Sequence, residues 1–337
     1  GPRGNGDKRA FAHKARIAKN LREELKMKKG IIVTFMALLA ALAVTTVAAA
    51  APTYMSVATG GTSGTYYVVG GAIASAITKG GKIQCTAETG NASVANLNLV
   101  ATEGIEIAFV QNDIAYWAYN GELMFQGKPA KNIRAVASLY PEHIQAVVTK
   151  ESGIKSIADL KGKRVGIGAP GSGVEGDVQA IFKVAGLTYD DLAKADFLDF
   201  AATTSRFKDN QIDAGFVVAG YPTASIMDLT TTKDVTLLSF DDEMLATLQK
   251  EYPFFVPSTV PANTYSGITT ETKTPAVMAI LITNDSVPEE QIYEFLTAMY
   301  GNLADIAAVH AKGKEITLEG ALNGLTCPLH PGAGRHS

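Results

Sequence analysis

Val57-Ala58-Thr59-Gly60-Gly61-Thr62-Ser63-Gly64-Thr65-Tyr66-Tyr67 decides the fold of this chain. A short β-branched run, Tyr54 to Thr59, meets a glycine-rich turn. Val69, Ile73 and Ile77 then follow at i, i+4 and i+8, the spacing of an amphipathic helix. Glycines at 60, 61 and 64 allow left-handed backbone angles and close approach of a ligand. Thr62 or Ser63 can cap the helix, whose remaining free N–H groups and dipole suit a carboxylate or a phosphate. Read alone, the stretch is equally a plain strand-to-helix turn with no ligand.

The same device recurs twice. Ile83–Glu88 reads as a strand, Thr89-Gly90-Asn91-Ala92-Ser93 as a turn, and Val94, Leu97, Leu99 and Val100 lie on the next helix, with Asn91 or Ser93 as its cap. Residues 105–110 form a strand with Gln111 at its carboxyl end, where open α/β sheets gather their ligands; Asn112 and Asp113 read better as helix caps. The third unit, Val165 to Val174, formally contains G-x-G-x-x-G at Gly166, Gly168 and Gly171, with Asp191 twenty residues beyond. A lone motif of this kind is weak evidence for a dinucleotide, and Pro170 stiffens the turn. A small anion at the N–H groups of Ser172, Gly173 and Val174 is the better use.

Alternating strands and helices continue to the end, the signature of α/β layers. Residues 133–139 and 144–149 read as two strands separated by a bend at Tyr140-Pro141-Glu142-His143, which suits a segment crossing between lobes. His143 is expected to hydrogen-bond near the hinge, since none of the five histidines has metal-site spacing with a cysteine. Residues 212–218 form a buried strand leading to Gly220-Tyr221-Pro222; 235–239 and 254–260 are further strands, and 276–283 recrosses to the first lobe. A long amphipathic helix is expected from Val287-Pro288 through Ile292, Phe295, Leu296, Met299, Leu303, Ile306 and Val309.

The first fifty residues stand apart. Lys26, Lys28 and Lys29 precede an apolar run over 31–47 and Ala48-Ala49-Ala50-Ala51, the pattern of a secretory signal peptide cleaved after Ala50. An uncleaved signal anchor is the alternative, and Met27 is a more natural start than the residues before it. The first fifty residues hold ten Lys/Arg and three Asp/Glu, which leaves twenty basic and thirty acidic residues, a net charge of −10. That balance argues against nucleic acid or an anionic membrane as partner, so an anionic ligand must be held by local dipoles. Cys85 and Cys327 could pair in an oxidising compartment, but two cysteines make no framework.

No catalytic constellation is present. The glycine turns fail G-x-S-x-G, Gly81-Lys82 runs into Ile83 and so is no Walker motif, and H-E-x-x-H is absent. Hydroxyls, glycines, a glutamine and tyrosines around three helix starts describe a pocket that holds a ligand without transforming it. No cofactor or metal is expected.

Taken together, ATGGTSGTYY (58–67), TAETGNASVAN (86–96), FVQND (109–113), SLYPE (138–142), LKGKRVGIG (160–168), GSG (171–173) and PLHPGA (328–333) resemble the TAXI-type solute receptors of tripartite ATP-independent periplasmic (TRAP) transporters. The likeness runs over nearly all of 53–333. It implies a type II periplasmic binding protein fold, two α/β lobes joined by two crossover strands with a ligand cleft between them. Lobe 1 would comprise 53–142 and 276–337, lobe 2 143–275, and 1–50 a leader. By motif, Gly61, Thr62, Ser63, Gly64, Tyr66, Thr89, Gly90, Ala92, Ser93 and Gln111 would line the cleft from lobe 1. Tyr140 would stand at the hinge, and Ser172, Gly173, Val174 and Tyr221 would contribute from lobe 2. The implied ligand is a small organic anion such as glutamate or glutamine, delivered to a TRAP permease subunit. TGNASVAN departs from the family's more usual Gly-Ser before the helix, which bears on ligand preference. An α-amino ligand would need an acceptor for its ammonium, with Glu88, Asp113 and Glu142 as candidates. A sensor presenting its ligand to a membrane kinase or chemoreceptor would share the same pocket.

Overall fold

The computed structural model describes residues 5–42 and 51–337, which belong to two units, Gly1–Ala51 and Pro52–Ser337. The first unit contains one helix, α1 (Asn5–Leu42), whose apolar residues Ile31, Ile32, Val33 and Phe35 are exposed. Among the described residues no helix is long and apolar enough to cross a membrane. The expected cleavage site after Ala50 lies outside the described residues.

The second unit is built on one ten-stranded sheet. In chain order it runs β1 (Thr53–Ala58), α2 (Thr65–Lys79), β2 (Ile83–Glu88), α3 (Ser93–Ala101), β3 (Ile107–Gln111), α4 (Asn112–Asn120) and β4 (Ile133–Thr149). There follow β5 (Arg164–Gly166), α5 (Gly173–Ala185), β6 (Lys194–Asp196), α6 (Phe200–Lys208), β7 (Ala214–Ala219), α7 (Ala224–Thr232), β8 (Val235–Leu237) and α8 (Asp242–Glu251). The chain closes with β9 (Val256–Val260), β10 (Thr272–Asn284), α9 (Glu289–Tyr300), α10 (Leu303–Ala307) and α11 (Pro331–His336). The strand order is β2-β1-β3-β10-β4-β7-β5-β6, with β8 on β4 and β9 on β10.

Two parallel sets flank a long antiparallel pair. β2-β1-β3 are mutually parallel, as are β7-β5-β6, and β10 with β4 joins them. β10 meets β3 over residues 279–282, whereas β4 meets β7 over 143–148, so the long pair joins one parallel set to the other. β3 and β7 are buried at every position, because helices cover both faces of a parallel sheet. One core cluster includes Ile73, Ile77, Phe295 and Met299 of α2 and α9; another includes Trp117, Phe182, Phe216 and Leu248.

Several local expectations are corrected. The bend at Tyr140-Pro141-Glu142-His143 does not divide the segment into two strands: β4 runs on for 17 residues, with irregularities in its pairing to β10 at Leu139 and Val136. Proline's φ is compatible with extended backbone, and one missing donor does not stop a strand paired with β10 over 133–143. The long C-terminal helix breaks at Gly301-Asn302, where glycine weakens the helix and Asn302 Nδ2 donates to the Ala298 carbonyl at 2.8 Å. Cys85 and Cys327 are both free thiols.

Candidate functional site

The helix starts carry the site. Gly64 is the N-cap of α2, Ala92 of α3 and Ser172 of α5, and none of the three donates a side-chain acceptor to its helix. Thr62, Ser63, Asn91 and Ser93 therefore do not cap as expected. The Ser172 hydroxyl turns back to the Ala169 carbonyl at 2.7 Å, and Ser93 Oγ accepts from the Gln111 N–H at 3.0 Å. By contrast, α6 and α8 are capped by Asp199 and Asp241. Ala92 sits at φ 62°, a backbone angle that favours glycine. The turn before α3 is thus held in an unusual shape.

These uncapped starts line a cavity of about 400 Å³. Gly61, Thr62, Ser63, Gly64 and Tyr66 border it from the first turn, and Thr89, Gly90 and Ala92 from the second. Gln111 stands at the end of β3, and Ser172, Gly173 and Val174 border it from the third turn. Three expected residues do not line it. Ser93 is fully buried behind Gln111. Tyr140 is buried against Gly220, with no hydrogen-bond partner for its hydroxyl among the described residues. Tyr221 turns away because its ring packs over the buried Lys312 ammonium (3.8 Å) and edge-on to His143 (4.7 Å). His143 does hydrogen-bond, to Ser258 Oγ at 2.8 Å. Burial, aided by the Lys312 charge, pushes its imidazole down to about 3, so it stays neutral.

The two halves touch at the cavity's rim. The Thr65 hydroxyl donates to the Gly220 carbonyl at 2.7 Å, Ala95 N–H to the Gly171 carbonyl at 2.9 Å, and Ser225 N–H to the Ser63 carbonyl at 3.3 Å. Gly173 permits the closest approach. A Cβ there would fall 2.0 Å from Gln111 Oε1.

Among the described residues no lysine or arginine lines the cavity. Among its lining residues is Glu142, which is buried and accepts from the Tyr66 hydroxyl at 2.7 Å through Oε2. Oε1 accepts nothing from the described residues. Burial holds this carboxyl well above the ordinary range, and nearby Asp113 adds to the rise. Of the three carboxylates weighed for an ammonium, only Glu142 borders the cavity. Glu88 is exposed, and Asp113 is buried behind Gln111.

Sequence reasoning missed the wall that α6 supplies. Leu198, Asp199 and Phe200 line the cavity, and the Phe200 ring would lie 3.2 Å from a Cβ on Gly64. The available signal was Asp199 ahead of a helical pattern, just past the carboxyl end of β6. A larger open groove of about 1360 Å³, bordered by Tyr116, Tyr252 and Phe254, presents aromatic faces but no converging helix starts.

Solved structures share this architecture at low identity. The periplasmic binding protein BugD matches with a TM-score of 0.55 at 10% identity, covering 82% of this chain and 91% of that one. PhnD1 from Prochlorococcus marinus (MIT 9301), in complex with methylphosphonate, matches with a TM-score of 0.52 at 13% identity over 79% and 92%. A binding protein component of an ABC phosphonate transporter from Pseudomonas aeruginosa matches with a TM-score of 0.51 at 12% identity over 82% and 84%. The fold is that of the type II periplasmic binding proteins. The sequence model of the NMT1-like family matches residues 57–336, and the chain belongs to that family.

Proposed function

We propose that the protein is an extracytoplasmic solute receptor that closes around a small α-amino carboxylate, glutamate or glutamine first, and hands it to a membrane permease. The observation that carries this reading is the pairing of three uncapped helix starts with one buried carboxyl, Glu142, in a cavity bordered by no lysine or arginine among the described residues. Free helix N–H groups take the ligand's carboxylate, and Glu142 Oε1, once ionised, takes its ammonium. A zwitterion satisfies both ends. The lobes would be 53–142 with 276–337, and 143–275, and contacts from both would favour the closed form through differential affinity. Such a protein acts by binding, not by turnover.

The permease is taken to be of the TRAP type on the strength of the motif resemblance, and the location to be periplasmic. Fold neighbours serving phosphonates supply a second ligand class, since the same N–H groups suit a phosphonate. A phosphonate leaves Glu142 without a counter-charge.

Thermal unfolding across glutamate, glutamine, 2-oxoglutarate and methylphosphonate separates these readings, using protein unfolded and refolded to strip any carried-over ligand. A ligand at a hundredfold excess over its Kd stabilises by about 2.7 kcal/mol. Amino acids should shift the midpoint, and Glu142→Gln should abolish that shift. A shift with methylphosphonate or 2-oxoglutarate alone would overturn the amino-acid reading.

A further inference from the structure

Asp113, at the start of α4, and Asp177, in α5, are both fully buried, and neither borders the cavity. They come from opposite halves of the sheet and are bridged by one amide. Gln111 Nε2 donates to Asp113 Oδ1 at 3.2 Å and to Asp177 Oδ2 at 2.7 Å. That accounts for one oxygen of each carboxyl. The two left over, Asp113 Oδ2 and Asp177 Oδ1, are buried with no partner among the described residues. Because a single amide nitrogen contacts both carboxyls, the two lie side by side, and one proton between their spare oxygens would complete a closed ring of Gln111, Asp113 and Asp177.

We propose that closing the cleft takes up one proton, held between Asp113 and Asp177, and that this shared proton latches the two halves together. Two ionised carboxylates so close in a buried site repel each other, and no lysine or arginine among the described residues bonds either of them. Glu142 of β4 adds further negative charge. α3, β3 and β7 carry no charged residue. Lys273 of β10 pairs with Asp242 at the surface. Glu122 beyond α4 is exposed, as are Asp242, Glu243, Lys250 and Glu251 of α8. On α5 itself, Glu175 bonds Gln179 and Tyr189, and Lys183 turns to Tyr252.

The sign follows from which form binds the proton. Burial raises both carboxyls in the closed form, and separating the halves returns them towards their ordinary value of 3.8. The latch is therefore complete below that value and is lost as pH climbs through the raised one. In between, the closed-to-open ratio falls about tenfold per pH unit for one proton. This depends on the two halves meeting, not on which ligand enters, so it stands or falls separately from the amino-acid reading.

Small-angle scattering of the full chain, freed of ligand by unfolding and refolding, tests it between pH 5 and 9. The radius of gyration should grow with pH in the wild type. It should stay at the compact value in Asp177→Asn, whose amide donates to Asp113 at every pH. Asp113→Asn is the parallel variant if Asp177→Asn misfolds. A wild-type radius independent of pH would overturn the latch. So would an expansion that persists in the Asn variants, which would place the proton elsewhere, Glu142 first.

Discussion

Replacing Gly173 by alanine should block closure while leaving the fold intact. A Cβ at this position falls 2.0 Å from Gln111 Oε1, 2.5 Å from Gln111 Cδ and 2.9 Å from Ser93 Oγ. Gln111 cannot swing aside cheaply, because its Nε2 is tied to both Asp113 and Asp177 and its backbone N–H to Ser93. Overpacking of this kind costs about 1–3 kcal/mol, which corresponds to roughly 5- to 150-fold in Kd. The cost falls on the closed form alone, since Gly173 opens α5 whereas Gln111 and Ser93 belong to the other half of the sheet. Residue 173 has no positive φ, and alanine suits a helix at least as well as glycine. Calorimetric titration with the ligand that stabilises the wild type should show the weaker Kd. The ligand-free unfolding midpoint should move by no more than about a degree or two, a surface-scale effect. Wild-type affinity in Gly173→Ala would refute the reasoning, because the overlap would then have no consequence for closure.

Other perturbations have equally definite outcomes. Gly70→Ala and Gly71→Ala should act in opposite directions in thermal unfolding. The first sets a Cβ 2.4 Å from Thr59 Cγ2 and should destabilise by about 1–3 kcal/mol. The second meets nothing within 4 Å on an exposed turn of α2 and should stabilise by roughly 0.5–1 kcal/mol. Burial pushes both thiols, Cys85 and Cys327, up to about 12, so neither should react with a disulfide reagent at pH 8 until the protein is unfolded, when both should. Arg164 grips Asp213 through Nη2 to Oδ1 at 2.8 Å and Nε to Oδ2 at 3.1 Å, holding that carboxyl below its ordinary 3.8. A depressed carboxyl contributes stability above its unfolded value and loses it as pH falls through the folded one. Asp213→Asn should therefore flatten the acid limb of urea midpoints below about pH 4, where a free carboxylate ordinarily titrates.

What the sequence revealed and what it concealed divide along one line. The three glycine turns were legible because each is local: a β-branched run, glycines, then a helical period, all within about a dozen residues. Twelve of the residues expected at the cleft indeed border the cavity, for the same reason. The unbroken β4 was not legible, since Pro141 reads as a stop unless the partner strand, some 140 residues downstream, is known to run alongside it. Nor was the fate of Tyr221, whose direction is set by Lys312 from a distant 3₁₀ turn. Side-chain caps failed as predictors because Ser93 and Ser172 have competing acceptors and donors that appear only once the chain folds.

The charge pattern of the cleft completes the physical picture. A chain with a net charge of −10 over 51–337 that sets Glu142 at the cavity and buries Asp113 and Asp177 beside Gln111 would repel any simple anion. Two means are available to offset that repulsion. Uncapped helix starts supply positive dipole ends at fixed positions, and protonation removes carboxylate charge at the moment of closure. The α5 dipole and the protonation act only when the halves meet, because α5 and Asp177 lie across the cleft from α2, α3 and Glu142. A ligand held by all three helix starts and by Glu142 would therefore be bound in full only by the closed form, which ties affinity to closure.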